Sequence, residues 1–327
     1  MAGAPAISVV PRAPEGVSLP AYLGASVGTT NYIMTVGLGT PARNLSVEID
    51  TGSDQSWVQC EPCVRCYGQQ DPLFDPARSC AADRECRYEV TYDDYSHADG
   101  TVARDALTLA ASRALPIFVF GCGHDDAGLF GKTDGLFGLG RGKMSLPSQA
   151  ATKYGAGFSY CLPSSPSAEG YLAFGGGAAA PANTQFTEMA SGPEPWSYYL
   201  NLVAVKVAGR EIGTPPPPRP CSRREAPSST RVLRAPPLSL LDTCYNFTGQ
   251  TRVKVPSVDL VFAGGATVSL NARGVLYVST VSQTCLGFAS TWDETSVNIL
   301  GNTQQKTLTV VYDVAKQRIG FGAKGCN

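Results

Sequence analysis

The chain has 327 residues, with 26 basic side chains against 27 acidic ones and a formal charge of -1. This near-balance excludes the strongly basic surface that nucleic-acid binding requires. Hydrophobic residues make up 43% of the chain, which excludes global disorder. No apolar stretch approaches the roughly 20 residues of a membrane-spanning helix. The composition therefore predicts a globular protein, of one large or two medium domains, that binds neither nucleic acid nor membrane.

The chain contains eleven cysteines, a high number for its size. Because they are spread along the whole sequence, they predict disulfides and an oxidising location, either extracellular or in the secretory and vacuolar system. The segment from Met1 to Gly24 has scattered prolines and no apolar run, so no signal peptide is visible in it. We give the cysteines more weight and expect that a leader is missing from this sequence.

Short runs of alternating apolar and polar residues dominate the chain, separated by turns rich in Gly, Pro, Asn and Asp, and they predict a mostly β protein. The clearest runs cover residues 32–36, 45–49, 253–262, 307–312 and 318–321. The last two flank Asp313 to Gln317, which predicts a hairpin turn. The best helix candidate is short and covers Ser145 to Tyr154.

Two internal similarities indicate a duplicated, two-lobed architecture. The triplet Leu136-Phe137-Gly138 resembles Ile299-Leu300-Gly301, since both are two apolar residues followed by Gly. The alternating run that begins at Tyr32 resembles the one that begins at Tyr198 and Tyr199. The expected organisation is an N-terminal extension, a first lobe and a second lobe, covering residues 1–31, 32–190 and 191–327.

The strongest chemical motif is Ile49-Asp50-Thr51-Gly52-Ser53. An apolar run leads a carboxylate into a tight turn, and Gly52 permits that turn. The hydroxyls of Thr51 and Ser53 could donate hydrogen bonds to the carboxylate and keep it ionised. The alternative is an ordinary Asp at the end of a strand, but the sequence on both sides of the motif favours a functional carboxylate.

In these surroundings the chain resembles the pepsin-like aspartic proteases, in particular their plant nepenthesin-type branch. The matching stretches are Val47 to Cys66, Phe118 to Gly123, Asp134 to Gln149, Phe158 to Leu162, Leu240 to Phe247 and Asn298 to Asp313. The resemblance implies a bilobal, mostly β acid-protease fold. It also implies a monomeric endopeptidase that hydrolyses an extended peptide at acidic pH without cofactor or metal.

The resemblance also implies a mechanism. Two aspartates, one from each lobe, share a proton, because two adjacent carboxylates cannot both ionise at low cost. One removes a proton from water, and the other polarises the peptide carbonyl and protonates the leaving amine. Asp50 matches the first of these aspartates, and Thr51, Gly52 and Ser53 match the turn that supports it. Gly138 matches the loop beneath this turn.

A flap over the cleft is the next implied element. Trp57 matches the tryptophan that supports the flap tyrosine, which would be Tyr92 on a hairpin from Tyr88 to Arg104. The branch has Tyr-Gly-Asp-Gly-Ser at the flap tip, and this chain has Tyr-Asp-Asp-Tyr-Ser at 92–96. Because the tip needs a positive φ, which Gly adopts more easily than Tyr, we expect an altered flap.

The second catalytic aspartate is missing from its expected place. Asp50 follows Tyr32 by 18 residues, and the same offset from Tyr199 falls at position 217. There the sequence has a segment, 213–237, with eight prolines and five arginines. This composition is typical of a disordered or polyproline segment, and a shifted reading frame or a misassigned splice site is the simplest explanation. Asp242 in Asp-Thr-Cys is a near match, but its element is structural in the family.

The cluster Cys60, Cys63 and Cys66 could also indicate zinc, but no fourth ligand lies at a familiar spacing, so we expect no metal. The family resemblance implies disulfides instead. The implied pairs are Cys60–Cys63, Cys66–Cys122, Cys80–Cys86, Cys161–Cys326 and Cys244–Cys285. Cys221, inside the unusual segment, then has no partner.

Three interpretations remain open at this stage. The first is an aspartic endopeptidase, although a lone Asp50 cannot act as base and acid together, so this chain is expected to be inactive. The second is a non-catalytic binding or inhibitor protein with the same fold. The third is a faulty product that does not fold stably. Pairing of two copies of Asp50 in a homodimer is disfavoured, because the second lobe occupies that face.

Overall fold

The structure is a computed structural model that describes residues 15–78, 81–212, 233–291 and 297–326. In chain order its strands are β1 (Val17–Leu23), β2 (Tyr32–Leu38), β3 (Arg43–Asp50), β4 (Trp57–Gln59), β5 (Ala81–Thr91), β6 (His97–Ala110), β7 (Arg113–Ala127), β8 (Gly135–Gly138), β9 (Phe158–Cys161), β10 (Gly170–Phe174), β11 (Gln185–Ala190), β12 (Tyr199–Leu200), β13 (Leu202–Val207), β14 (Arg210–Glu211), β15 (Leu233–Ala235), β16 (Cys244–Asn246), β17 (Val258–Phe262), β18 (Thr267–Ser269), β19 (Leu276–Thr280), β20 (Gln283–Leu286), β21 (Thr309–Asp313) and β22 (Arg318–Gly322). The α-helices are α1 (Leu146–Tyr154) and α2 (Ala272–Val275). The predicted mostly β fold is confirmed.

Fourteen strands form one continuous sheet in the order β12-β11-β22-β21-β9-β10-β1-β2-β3-β8-β4-β7-β6-β5. The C-terminal strands β21 and β22 join this sheet through β9, so the end of the second lobe is paired with the first. Strand β12 of the second lobe also joins it, at its edge, and the other described strands of the second lobe form two four-stranded sheets, β14-β13-β17-β18 and β15-β16-β20-β19. The two lobes are therefore joined by shared strands, while the outer part of the second lobe is built from small sheets.

Strand β3 positions the Asp50 motif. It pairs with β2 in the antiparallel direction and with β8 in the parallel direction, which places Asp50 opposite Gly138. Parallel neighbours need a crossover connection, and here β4 to β7 form it. Apolar side chains of these strands, including Met34, Val47 and Phe137, are fully buried. The buried sheet therefore fixes the point at which Asp50 leaves it.

The expected N-terminal extension is wrong for residues 17–31. Val17–Leu23 forms β1, which pairs with β10 and β2 inside the large sheet. Its side chains alternate between buried and exposed, and Leu19 and Ala21 are fully buried. Pro20 occupies an exposed position in this alternation, and its presence hides the strand pattern in the sequence.

Two local predictions are confirmed. Helix α1 begins after Ser145, whose side chain accepts a hydrogen bond from the Ser148 backbone N–H, as a helix N-cap does. The predicted hairpin at the C-terminus is formed by β21 and β22, with a 3-10 turn at Val314–Lys316 between them.

The Pro/Arg-rich segment 213–237 lies mostly outside the described residues. Its last part contradicts the expectation of a wholly unfolded segment, because Leu233–Ala235 forms β15 and pairs with β16. Leu233 is exposed, as suits a strand at the edge of a sheet. The predicted run 253–262 is a strand only from Val258 onward.

The disulfide prediction is partly wrong. The structure has the implied pairs Cys161–Cys326 and Cys244–Cys285. In place of Cys60–Cys63 and Cys66–Cys122 it has Cys60–Cys122 and Cys63–Cys66. The reason is the parallel pairing of β4 with β7, in which the Cys60 backbone N–H donates to the Gly123 carbonyl at 2.9 Å and so brings Cys60 beside Cys122. Cys80 and Cys221 lie outside the described residues.

No helix in the described ranges is both long enough and apolar enough to cross a membrane.

Candidate active-site cleft

Asp50 sits half-buried at the end of β3, in a tight turn. Its side-chain Oδ1 accepts a hydrogen bond from the Gly52 backbone N–H at 2.8 Å. Its main-chain carbonyl accepts from the Leu139 N–H at 2.6 Å. The turn and the loop that follows β8 therefore hold both ends of the residue, and the carboxylate is presented to the cleft in a fixed position.

The loop after β8 packs tightly beneath this turn. A Cβ atom on Gly138 would lie 2.5 Å from the Asp54 carbonyl carbon, so only glycine fits there. Asp54 accepts a hydrogen bond on Oδ1 from the Gly142 N–H at 2.7 Å. Burial raises the pKa of Asp54, and the Gly142 hydrogen bond opposes the rise. Asp54 is a structural link between turn and loop that the sequence analysis missed.

The predicted support of Asp50 by the Thr51 and Ser53 hydroxyls does not form. The Ser53 Oγ is buried and has no hydrogen-bond partner in the described part of the chain. The Thr51 hydroxyl faces the phenols of Tyr160 and Tyr312, whose pKa values are raised by burial. Backbone N–H donation from Gly52 takes the place of the expected hydroxyl contacts.

The flap contact is present. The Trp57 indole Nε1–H donates to the Tyr92 hydroxyl at 2.9 Å. Phe130 packs against both rings, with ring centroids 5.0 Å from Trp57 and 5.8 Å from Tyr92. Burial raises the pKa of Tyr92, so its hydroxyl stays protonated. These contacts hold Tyr92 at the wall of the cleft.

The tip of the flap is closed by backbone hydrogen bonds. The Tyr92 N–H donates to the Ser96 carbonyl at 2.8 Å, and the Tyr95 N–H donates to the Tyr92 carbonyl at 2.9 Å. The Ser96 N–H donates to the Asp94 Oδ1 at 3.0 Å. Tyr95 has a φ of 66°, in the left-handed region that glycine adopts at low cost. The flap is therefore formed without its usual glycines, with Tyr95 in an unfavourable conformation.

A cleft of about 810 Å³ lies between Asp50, the flap and the second lobe. The described second lobe contributes to its lining Glu194, Trp196, Ser197, Ile299, Leu300, Gly301, Asn302 and Gln305. Of these only Glu194 has an ionisable side chain, and Asp242 does not line the cleft. Within the described residues, the second lobe therefore brings no aspartate to the cleft, and its one carboxyl group there belongs to Glu194, outside any Asp-Thr-Gly or Asp-Ser-Gly turn.

Glu48 is a cleft residue that the sequence analysis missed. It lies two positions before Asp50 on β3, so both side chains are on the same face of the strand, and it is only 2% exposed. Its Oε2 accepts from the Asn31 Nδ2 at 2.7 Å. Burial raises its pKa to about 7, opposed by Asn31 and Thr29, while the nearby charges of Asp50 and Asp94 raise it further. The alternation along β3 was the available signal.

A polar link joins the lobes below the cleft. Asn31, which holds Glu48, accepts a hydrogen bond on Oδ1 from the Asn302 Nδ2 at 3.4 Å. Tyr160 donates its hydroxyl hydrogen to the Gln305 Oε1. The second lobe thus presents two amide side chains to Asn31 and Tyr160 of the first lobe.

Within the described ranges, no group of three or more His, Cys, Asp or Glu side chains is placed to hold a metal ion. Cys60, Cys63 and Cys66 are all in disulfides, so they supply no thiolate ligands.

A two-lobed β fold with an Asp-Thr-Gly turn under a tyrosine-bearing flap defines the acid-protease class. A family model described as Xylanase inhibitor N-terminal matches residues 32–84 and 77–176, and one described as Xylanase inhibitor C-terminal matches residues 223–323. An Aspartyl protease family protein of Arabidopsis thaliana is 39% identical over 96% of this chain and 76% of its own length. Aspartic proteinase nepenthesin-2 of Nepenthes gracilis is 30% identical over 98% and 82%.

Solved structures with a similar fold also include an aspartic proteinase. The crystal structure of an aspartic proteinase from Irpex lacteus superposes with a TM-score of 0.67 at 17% identity, covering 95% of this chain and 98% of the other. The chain belongs to the pepsin-like aspartic proteases, in their plant nepenthesin-type branch.

Proposed function

We propose that the cleft around Asp50 binds an extended peptide as in an aspartic endopeptidase, and that this chain does not hydrolyse it efficiently. One observation carries the proposal: among the described second-lobe residues at the cleft there is no aspartate, and the stretch from Ile299 to Gln305 contributes only amide, aliphatic or glycine side chains to the lining. The likeness to aspartic proteases over nearly the whole chain supports the peptide as occupant. We further propose that the protein acts as a monomer in an extracellular or vacuolar location, which its disulfides favour.

The chemistry explains why one aspartate is not enough. Asp50 in its ionised form can accept a proton from a water molecule bound beside it. The peptide carbonyl must also be polarised, and the leaving amine must receive a proton, which in the family is the role of the second aspartate. Loss of one general acid or base typically lowers the rate by about 10²- to 10⁴-fold. The Asn302 and Gln305 amides cannot replace it, because an amide does not titrate.

Acid proteolysis tests the proposal. The full chain is incubated with a protein substrate at about pH 3 to 5, where one carboxyl of an aspartic dyad keeps its proton, with and without pepstatin. The control is Asp50→Ala, which removes the remaining catalytic carboxylate. We expect both proteins to give the same pepstatin-insensitive background. Robust proteolysis that pepstatin inhibits and Asp50→Ala abolishes would contradict the proposed inactivity.

A non-catalytic binding or inhibitor role is the second candidate. It is favoured by the missing carboxyl group and by the match to family models described as Xylanase inhibitor. The two candidates differ in where the partner binds, since an inhibitor can use surface loops and leave the cleft free. Peptide binding that a Tyr92→Ala change in the flap weakens at least tenfold would favour the cleft. Inhibition of a xylanase that is unchanged by Tyr92→Ala would favour the inhibitor role.

A further inference from the structure

The cleft is lined by acidic side chains without any basic counterpart. Among the described residues that line it there is no Lys, Arg or His. The carboxylates on its lining are Glu48, Asp50, Asp54, Glu89, Asp93, Asp94 and Glu194. The whole chain has 26 basic and 27 acidic residues, so this one-sided lining is a local property. A cleft with one sign of charge attracts ligands of the opposite sign.

A buried atom gives a second and independent indication. Glu48 Oε1 has no hydrogen-bond partner in the described part of the chain, although the residue is only 2% exposed. The Thr29 hydroxyl faces the same carboxyl but does not reach Oε1 in hydrogen-bond geometry. Leaving a buried acceptor without a donor is unfavourable. The unsatisfied oxygen therefore needs a donor, and the cleft that Glu48 lines is where a donor can enter.

The arrangement suits an organic cation better than a metal ion. In the described ranges, no three of the acidic side chains are grouped so that they could hold a metal ion. Asp94, on the exposed flap tip, and Asp50, beside the turn, both act electrostatically on Glu48. An ammonium group on a flexible stem can donate to separated oxygens.

We propose that Glu48, Asp50 and Asp94 form a subsite for a basic side chain, lysine or arginine, of the peptide that occupies the cleft. The inference rests on the proposed function, because it takes an extended peptide as the occupant. The charged end of the side chain enters beneath the flap and donates to Glu48 Oε1. Asp94 approaches it from the flap, so the cleft selects peptides with a basic residue at this subsite.

Binding to the full chain tests the proposal without any need for turnover. The probe is an uncharged, end-blocked peptide of about seven residues with a single central lysine. The matched probe carries acetyl-lysine there, which has the same stem but no charge. Titration calorimetry at about pH 7.5 measures both affinities. We expect the lysine peptide to bind about tenfold more tightly, the effect of one charge-assisted hydrogen bond.

Two variants assign the preference to the subsite. Glu48→Gln keeps the shape and removes the charge, and we expect it to reduce the preference to below about threefold. Asp94→Asn keeps the acceptor for the Ser96 N–H, and because Asp94 is exposed this variant tests the subsite even if Glu48→Gln folds poorly. The control is Glu211→Gln, an exposed residue away from the cleft, which is expected to keep the full preference.

The outcomes separate this inference from the proposed function. Equal affinity for the two probes overturns the basic subsite and leaves peptide binding in the cleft intact. A preference for lysine that survives in both Glu48→Gln and Asp94→Asn also overturns it. Failure of both probes to bind overturns the subsite together with the peptide-binding cleft.

Discussion

The triplets Leu136-Phe137-Gly138 and Ile299-Leu300-Gly301 are similar in sequence and opposite in environment. In the first lobe, Leu136 is 5% exposed and Gly138 packs against the turn that carries Asp50. In the second lobe, Ile299 is 80% exposed. Among the described residues, a Cβ atom on Gly301 would meet only the Gln304 Oε1, at 3.6 Å.

The difference shows what an Asp-Thr-Gly turn does for the fold besides catalysis. In the first lobe the turn covers the triplet and fills the space above Gly138. In the second lobe no described residue covers Ile299 in this way, so an apolar side chain suited to burial is left at the surface. The exposed triplet fits the proposed lack of a second Asp-Thr-Gly turn, since such a turn would supply both a carboxyl group and this packing.

The largest expected effect concerns buried acids, which are confined to the first lobe among the described residues. Glu48, Asp126 and Asp134 are at most 2% exposed, and burial raises the pKa of each to about 7. Because these values lie above those of the unfolded chain, the folded state holds extra protons between about pH 4 and pH 7. The stability they provide is present at low pH and lost as the pH rises through 7. The free energy of unfolding should fall by several kcal/mol over this range.

Urea unfolding followed by tryptophan fluorescence at a series of pH values measures this change. Glu48→Gln removes one of the three groups, so its curve should be flatter by about 2 kcal/mol. Asp125 works in the opposite direction, because the Arg65 hydrogen bond lowers its pKa, but it lies at the surface. A stability that rises between pH 4 and pH 7 in the unchanged protein would show that these carboxyl groups are ionised in the folded state.

Truncation of one apolar side chain in each triplet should change the free energy of unfolding by unequal amounts. Leu136→Ala removes a side chain buried with Trp57 and Phe130, so the free energy of unfolding should fall by about 3 kcal/mol. Ile299→Ala removes a side chain that is 80% exposed, and the change should stay within about 0.5 kcal/mol. Urea unfolding of both variants is the measurement. Equal losses would mean that Ile299 is covered in solution and that the second lobe is more complete than the comparison implies.

The sequence predicted the parts of the site that depend on local pattern. Asp50 follows an alternating strand, and the Trp57–Tyr92 contact follows from the resemblance, so both could be placed in advance. The fold class could be predicted for the same reason, because period-two alternation is visible in a single sequence.

What could not be predicted depends on contacts between distant segments. The Cys60–Cys122 pair follows from the parallel register of β4 and β7, which a sequence does not display. Strand β1 contains Pro20, which argues against a strand unless its place in the sheet is known. Glu48 was missed because the motif directs attention to Asp50, although burial raises the pKa of Glu48 to about 7.

A smaller effect is expected from adding one carbon to each glycine of the triplets. Gly138→Ala places a Cβ within 2.5 Å of backbone atoms of the Asp54 turn, which should destabilise the fold by about 2 kcal/mol. Gly301→Ala meets no atom closer than 3.6 Å and should change stability by less than about 0.5 kcal/mol. Urea midpoints of the two variants give the comparison directly. A large loss in Gly301→Ala would reveal a turn packed on the second triplet.

The smallest expected effect concerns the unfavourable backbone conformation at the flap tip of the first lobe. Tyr95 is 87% exposed and has a φ of 66°, so Tyr95→Gly removes little packing and relieves the left-handed conformation. The gain, about 1 kcal/mol for an L-residue, exceeds the loss from the added freedom of the unfolded chain. The free energy of unfolding should therefore rise by about 0.5 kcal/mol, and hydrogen exchange at the backbone amide of position 95 should become slower. Asp93→Gly, at a position without a positive φ, should lower it instead, and a loss in both variants would mean that the Tyr95 ring stabilises the flap.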